Sequence, residues 1–241
     1  MLSSIRSEAL RAVSGLAFLG VIAFGVGIPA LLLNTVLSGR VLEGLSPADT
    51  STRVFSLSAS LLVVAMFIGS YSVTREYYYS SIGRTLVSVT FRRAFWAKAI
   101  AGAICSVCFT GLMCAVWFLV SYWVVIGQGK EFVPSLSMLA SSAGTIAAAA
   151  IGAIIGNGVG WLVRNYYVAC IIVLAVPLAL ELPLLLKLPD IGRFFPSVAL
   201  AGLSGVTGLD VLAPLSGAGI AIAWAAVATM FGYVVARKRD T

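Results

Sequence analysis

Six apolar runs, each long enough to cross a bilayer, leave this chain little choice of fold. A helix needs about 20 predominantly apolar residues to traverse roughly 30 Å of hydrocarbon. Such runs lie at about 13–37, 54–73, 99–126, 138–161, 167–186 and 215–236. In hydrocarbon every backbone N–H and C=O must be satisfied within the segment, so these runs fold as helices. The expectation is an all-α polytopic membrane protein with six transmembrane helices in a single domain, residues 1–241. Composition agrees: 60% of residues are hydrophobic and 10% charged, against about 45–50% apolar and about 25% charged in soluble domains. The first run follows a short basic start but far exceeds the roughly 7–15 apolar residues of a signal peptide, and reads as a retained span. Gly25, Gly27 and Pro29 are expected to bend its outer half.

The net charge of +7 belongs to membrane topology rather than to nucleic acid, because basic residues flank the spans. With both termini inside, the inner side holds Arg6, Arg11, Arg75, Arg84, Arg92, Arg93, Lys98, Arg164, Arg237, Lys238 and Arg239. The outer side, 38–53, 127–137 and 187–214, holds Arg40, Arg53, Lys130, Lys187 and Arg193. Eleven against five orients the chain with cytoplasmic termini by the positive-inside rule. Trp96, Trp161, Tyr166, Tyr167 and Tyr233 then fall at the inner boundary, and Tyr122 and Trp123 at the outer one. The amino-terminal stretch SSIRSEALRAVS reads either as an interfacial helix or as a frayed start to the first span.

Several chemistries are excluded. Without histidine there is no Ser-His or Cys-His nucleophile pair, no HExxH zinc helix and no His-ligated haem. Cys105 and Cys108 have CxxC spacing, but two thiols inside an apolar run read as packing residues rather than as a closed metal site. There is no GxxxxGK[ST] phosphate loop and no internal repeat of the kind many secondary transporters carry. Energy for any transport must come from a gradient or from another chain.

Four features remain as carriers of function. Between the second and third runs, VTREYYYSSIGRTLVSVTFRRAFWAKAI is longer than the roughly 2–8 residues a helix–helix turn requires. Ile82, Leu86, Val89 and Ala94 or Phe95 stand near helical spacing, as in an amphipathic helix that presents a polar face to a partner or simply anchors topology. In the fourth run Gly144, Ala148, Gly152, Gly156 and Gly160 recur every fourth residue. That stripe lets another helix approach closely, within the subunit or across a dimer, and Asn157 beside it can hydrogen-bond between helices. Glu181 is the single acidic residue inside a span. It is either a functional ionisable group or a carboxylate in water beside a helix broken by Pro177 and Pro183, with Lys187 or Arg193 folding back toward it. Last, 187–214 is too broken to span yet too apolar for a plain loop, and suits two short re-entrant or interfacial helices.

The order of these parts resembles the membrane subunit of ABC-2 type ATP-binding-cassette transporters, the type V exporter fold, over nearly the whole chain. Three stretches carry the resemblance: the interfacial amino-terminal helix; GSYSVTREYYYSSIGRTLVSVTFRRAFWAKAI, where an acidic residue, a small amphipathic helix, a basic residue and an A-K pair follow one another; and IGNGVGWLVRNYYVACIIV with the broken FFPSVAL segment after it. The resemblance implies that 74–98 is a coupling helix docking on a separate cytoplasmic ATPase through Ser80, Ser81, Gly83, Arg84, Arg92 and Arg93, framed by Arg75, Glu76 and Lys98. It further implies two copies of that ATPase, which bind the ATP and Mg, and a second permease chain as homodimer or heterodimer. The setting implied is a bacterial plasma membrane and its lipid, with no cofactor in this chain. Mostly apolar spans suit hydrophobic, amphiphilic or peptide-like cargo. Two other readings remain: a stand-alone secondary transporter or channel centred on Glu181, and a non-transporting immunity or assembly protein.

Overall fold

A computed structural model describes residues 17–35, 42 and 44–240. The expected amino-terminal interfacial helix, with Arg6 and Arg11, lies outside the described residues. Among those described the chain is helical and without strands. The helices are α1 (Ala17–Thr35), α2 (Pro47–Tyr78), α3 (Ile82–Ser88), α4 (Phe91–Gly127), α5 (Leu136–Val163), α6 (Tyr166–Lys187), α7 (Pro189–Gly192), α8 (Pro196–Leu203) and α9 (Pro214–Asp240). Five of them, α2, α4, α5, α6 and α9, are long and apolar enough to cross a membrane. The apolar α1, shorter over its Leu19–Thr35 stretch, packs beside them with Gly25 against Phe109 and Met113 of α4.

Helix α2 is the axis of the bundle. Leu61 to Ser70 are all buried, as befits a helix apolar on every face. Its nearest neighbour is α5, and the small residues of α5 set the separation. A Cβ on Gly156 would lie 1.9 Å from the carbonyl oxygen of Met66, and one on Gly160 would lie 2.9 Å from that of Ser70. Gly152 faces Leu62 and Met66 of α2 and Leu200 of α8, while Gly144 meets the Leu203–Ser204 backbone. The stripe is thus occupied inside the chain by α2 and by the segment following α6. Gly156→Ala is expected to push the α2 and α5 backbones apart and to destabilise the protein by about 1–3 kcal/mol. Thermal unfolding in detergent measures this, and an unchanged midpoint would show that the two backbones are not in contact.

The two ends of the bundle differ. At one, Val73, Tyr77, Phe91, Phe95, Trp161, Tyr233 and Ala236 cluster together. At the other, Phe55, Trp117, Phe118, Phe132 and Met138 do so. The first end also carries Arg75, Arg84, Arg92, Arg93 and Arg164, and is called the basic end below.

Two boundaries differ from the sequence expectation. Residues 47–53, expected in an outer loop, are helical and run without a break into the second span through a 3-10 turn at Leu57–Ser60. Ser46 caps the start by accepting the Asp49 N–H, and Pro47 opens the first turn. Thr50 and Ser51 then return their hydroxyl protons to backbone carbonyls four residues back, so polar side chains are accommodated in a buried helix. Helix α4 begins at Phe91 rather than 99. The connection before it shrinks accordingly, to a two-turn helix between short links. After α6 the chain folds back on itself through the two short helices α7 and α8. Gly192 packs on the Leu184–Leu185 backbone, and α8 then runs up between α5 and α9 with Val198, Ala199 and Leu200 buried.

Candidate functional site

The elbow between α2 and α4 is built from the end of α2. That helix closes with the Ser81 N–H bonded to the Glu76 carbonyl at 2.8 Å and the Ser80 N–H to that of Tyr77 at 3.1 Å. This is the paired closure of a Schellman motif. It requires a left-handed residue, and Ser80 takes that place at φ 52° where glycine is usual. The chain therefore turns sharply and starts α3 at Ile82. Ile82 and Leu86 are half-buried, whereas Gly83, Arg84, Val87 and Ser88 are exposed, Val87 to 91%. Of the six residues assigned to docking, Arg84 alone supplies charge from α3. Arg92 and Arg93 belong to the first turn of α4, because that helix starts earlier than its apolar run.

Beneath the elbow Glu76 and Lys98 form a buried ion pair. Lys98 Nζ lies 2.8 Å from Glu76 Oε1, with side chains 0% and 7% exposed respectively. Lys98 also donates to the Ser72 carbonyl at 3.2 Å. These two residues were expected as framing at the membrane boundary. Both lie inside the protein, where they join the foot of α2 to the foot of α4. The same helix ends carry an aromatic cluster: Phe95 on Trp161 at 5.6 Å, Phe91 on Trp161 at 5.4 Å, and Tyr77 edge-on to Trp161 at 6.2 Å. Arg164, left-handed at the end of α5, donates to the Ala236 carbonyl of α9 at 2.9 Å and lies over the Tyr77 ring. Arg75 lies over Tyr71. Four helix ends are thereby held as one block, with α3 projecting from it.

A second constellation lies nearer the other end. Helix α6 is widened into π turns at Ile171–Ala175 and Pro177–Glu181, where the N–H groups of Val176 and Leu182 reach back five residues to Ile171 and Pro177. Prolines at 177 and 183 have no N–H to give, which accounts for the loosened ladder. Glu181 points inward and is 3% exposed. Its Oε2 accepts the Ser197 N–H at 3.0 Å and the Ser197 hydroxyl proton, and the Val198 N–H is also directed to it. Ser197 and Val198 open α8, where N–H groups lack intrahelical partners and carry partial positive charge. The carboxylate is thus the cap of a helix buried inside the bundle. The two cations expected to fold toward Glu181 do not serve it: Arg193 pairs with Asp190 at 3.3 Å, and Lys187 is exposed. Next to this clasp is a cavity of about 90 Å³ whose walls include Leu178, Leu182, Val198 and Val211. The hydroxyls on it, Ser56, Ser60 and Ser197, are each already bonded within the chain.

No family model, curated protein or solved structure matches this chain.

Its own geometry brings Glu76 and Lys98 together and leaves Glu181 and Asn157 apart on different helices. Asn157 is 1% exposed, and its Nδ2 finds no partner among the described residues. Cys105 is half-buried and Cys108 exposed on α4, and no metal-holding group of three or more ligands occurs among the described residues. Sequence reasoning missed three anchors. Lys130 Nζ donates to the carbonyls of Leu42 and Leu45 and to Thr50 Oγ1. Trp117 donates to the Val54 carbonyl at 3.1 Å, and Ser197 clasps Glu181. The partners of Lys130 and Trp117 lie more than sixty residues away, beyond any local pattern; Ser197 was signalled by the preceding Phe-Pro, a helix opening.

Proposed function

We propose that this chain is the membrane-spanning subunit of a bacterial ABC-2 type exporter, driven by ATP that a separate cytoplasmic subunit hydrolyses with Mg. One observation carries the reading. A short exposed helix, α3, stands on two long helices whose feet are locked by a buried ion pair. A cytoplasmic ATPase can deliver work to spans only through a rigid element that it touches, and α3 has that form. On this reading α1 is the first of six spans, both termini are cytoplasmic, and two ATPase copies serve a pair of permease chains, identical or similar. The cargo is hydrophobic, amphiphilic or peptide-like. Two features support this: the cavity beside α8 is apolar, and the intramembrane carboxylate is already engaged as a helix cap. The same engagement weighs against a stand-alone carrier with Glu181 as its ionisable centre.

Arg84→Glu is expected to leave the protein inserted and folded while cutting recovery of the ATPase in pull-down at least fivefold, with loss of permease-stimulated ATP hydrolysis. The magnitude follows from reversing one docking charge, where like-charge contact at an interface costs several kcal/mol. Unchanged recovery and hydrolysis would reduce α3 to a topology anchor, and failure to find any ATPase partner would favour the immunity or assembly reading. Cysteine at position 84 in a cysteine-free background tests orientation: labelling by an impermeant reagent outside intact cells would reverse it.

A further inference from the structure

Arg92 is exposed on the first turn of α4 and, among the described residues, has no ion-pair or hydrogen-bond partner. It stands at the head of an open cleft of about 600 Å³ between α4 and α9, floored by Ile154 of α5. Trp96 and Tyr233 flank it there, and below them the α9 wall is mostly apolar, Met230, Ala226 and Ile222 with the single hydroxyl of Thr229 among them. Phe91 and Phe95 touch Tyr233 at ring distances of 5.4 and 5.2 Å, so the two helices are joined at the basic end. At 1.5 Å per residue, Tyr233 to Ile222 spans about 16 Å. Half of a roughly 30 Å hydrocarbon core is about 15 Å, the depth of one leaflet.

We infer that this cleft binds one anionic glycerophospholipid, its phosphate on Arg92 and one acyl chain lying along α9. Each part of the cleft matches one part of that molecule. The unpartnered guanidinium supplies a planar fork suited to phosphate oxygens. Trp96, 41% exposed, and Tyr233 sit where the headgroup meets the chains, the depth that amphipathic rings prefer. The small side chains of Ala225 and Ala226 leave room for a chain beside α9. Arg92 is then a lipid ligand rather than part of the α3 surface, and the assignment does not depend on whether the chain is an exporter.

The test is native mass spectrometry of the full chain released from nanodiscs that contain equal amounts of phosphatidylglycerol and phosphatidylcholine with the same acyl chains. Wild type is expected to retain one phosphatidylglycerol roughly fivefold over phosphatidylcholine, the factor that one basic residue contributes near an anionic surface. Arg92→Gln should abolish the preference, Ala226→Phe should remove the retained lipid altogether, and Arg84→Gln, outside the cleft, should change neither. Equal retention of the two lipids, or equal effects of Arg92→Gln and Arg84→Gln, would overturn the assignment. So would ready disulfide formation between two chains carrying Ala226→Cys, because a second copy would then cover the cleft.

Discussion

Lys98→Met is expected to destabilise the protein by about 3–5 kcal/mol, because it leaves the Glu76 carboxylate buried without its ammonium partner. The surroundings make the loss hard to absorb. Lys98 is fully buried, and its Nζ is shared between Glu76 and the Ser72 carbonyl. Replacing both members, Glu76→Leu with Lys98→Met, is expected to recover most of the loss, since a well-packed apolar pair is often as stable as a buried ionic one. A double-mutant cycle on unfolding in mixed micelles separates the coupling from the two single effects. Additive single losses would mean that the two groups do not act as a pair. The double variant also bears on function. On the proposed exporter reading, if the pair serves only stability, the double variant should couple to the ATPase like wild type; if it is the joint that carries motion from α3, it should fold yet fail to stimulate hydrolysis.

The spans were legible because the constraint that produces them is written locally: a bilayer demands long apolar helices, and the runs at 138–161 and 215–236 lie inside α5 (Leu136–Val163) and α9 (Pro214–Asp240). What hydropathy could not see is helix that is polar yet buried. PADTSTRVFS at the start of α2 reads as loop by composition, but its Ser-Pro-x-Asp opening is a helix start, and its hydroxyls are satisfied against the helix backbone. For FRRAFWAK the sequence suggested helix, as part of one amphipathic element lying before the third span; the chain instead breaks after Ser88 and makes this stretch the first turns of α4. Charge marks an end of a span, and does not by itself say whether the backbone there is helical.

Pairings were less legible than elements. Glu76 and Lys98 stood out in the sequence individually, yet their meeting depends on the tight Ser80–Ser81 closure that brings α4 back along α2. The glycine stripe of α5 was visible as a period of four, but nothing in that period told α2 from a second chain. The choice is made by matching shapes: Gly69 of α2 faces the Ala153 carbonyl as closely as Gly156 of α5 faces that of Met66, so each helix offers a notch to the other.

Glu181 joins these themes, because its role follows from a helix that hydropathy does not register. The eight residues of α8 are too few to span and would be an unusual intrusion into a membrane if their leading N–H groups had no acceptor. Glu181→Leu removes the acceptor for Ser197 and Val198. Two buried N–H groups at about 1–3 kcal/mol each set an expected loss of about 2–6 kcal/mol. Glu181→Gln keeps a carbonyl oxygen in the same place and should lose far less, forgoing the charge but not the bonds. Melting of the two variants in detergent, alongside Ser197→Ala, orders them as Leu, then Ala, then Gln in decreasing damage. On the proposed exporter reading, transport by Glu181→Gln separates a cap from a proton carrier. A cap tolerates the amide and exports at the wild-type rate at every pH, whereas a group that must take up and release a proton cannot. Loss of transport by Glu181→Gln at full stability would return the carboxylate to the cargo path and would overturn its reading as a structural cap.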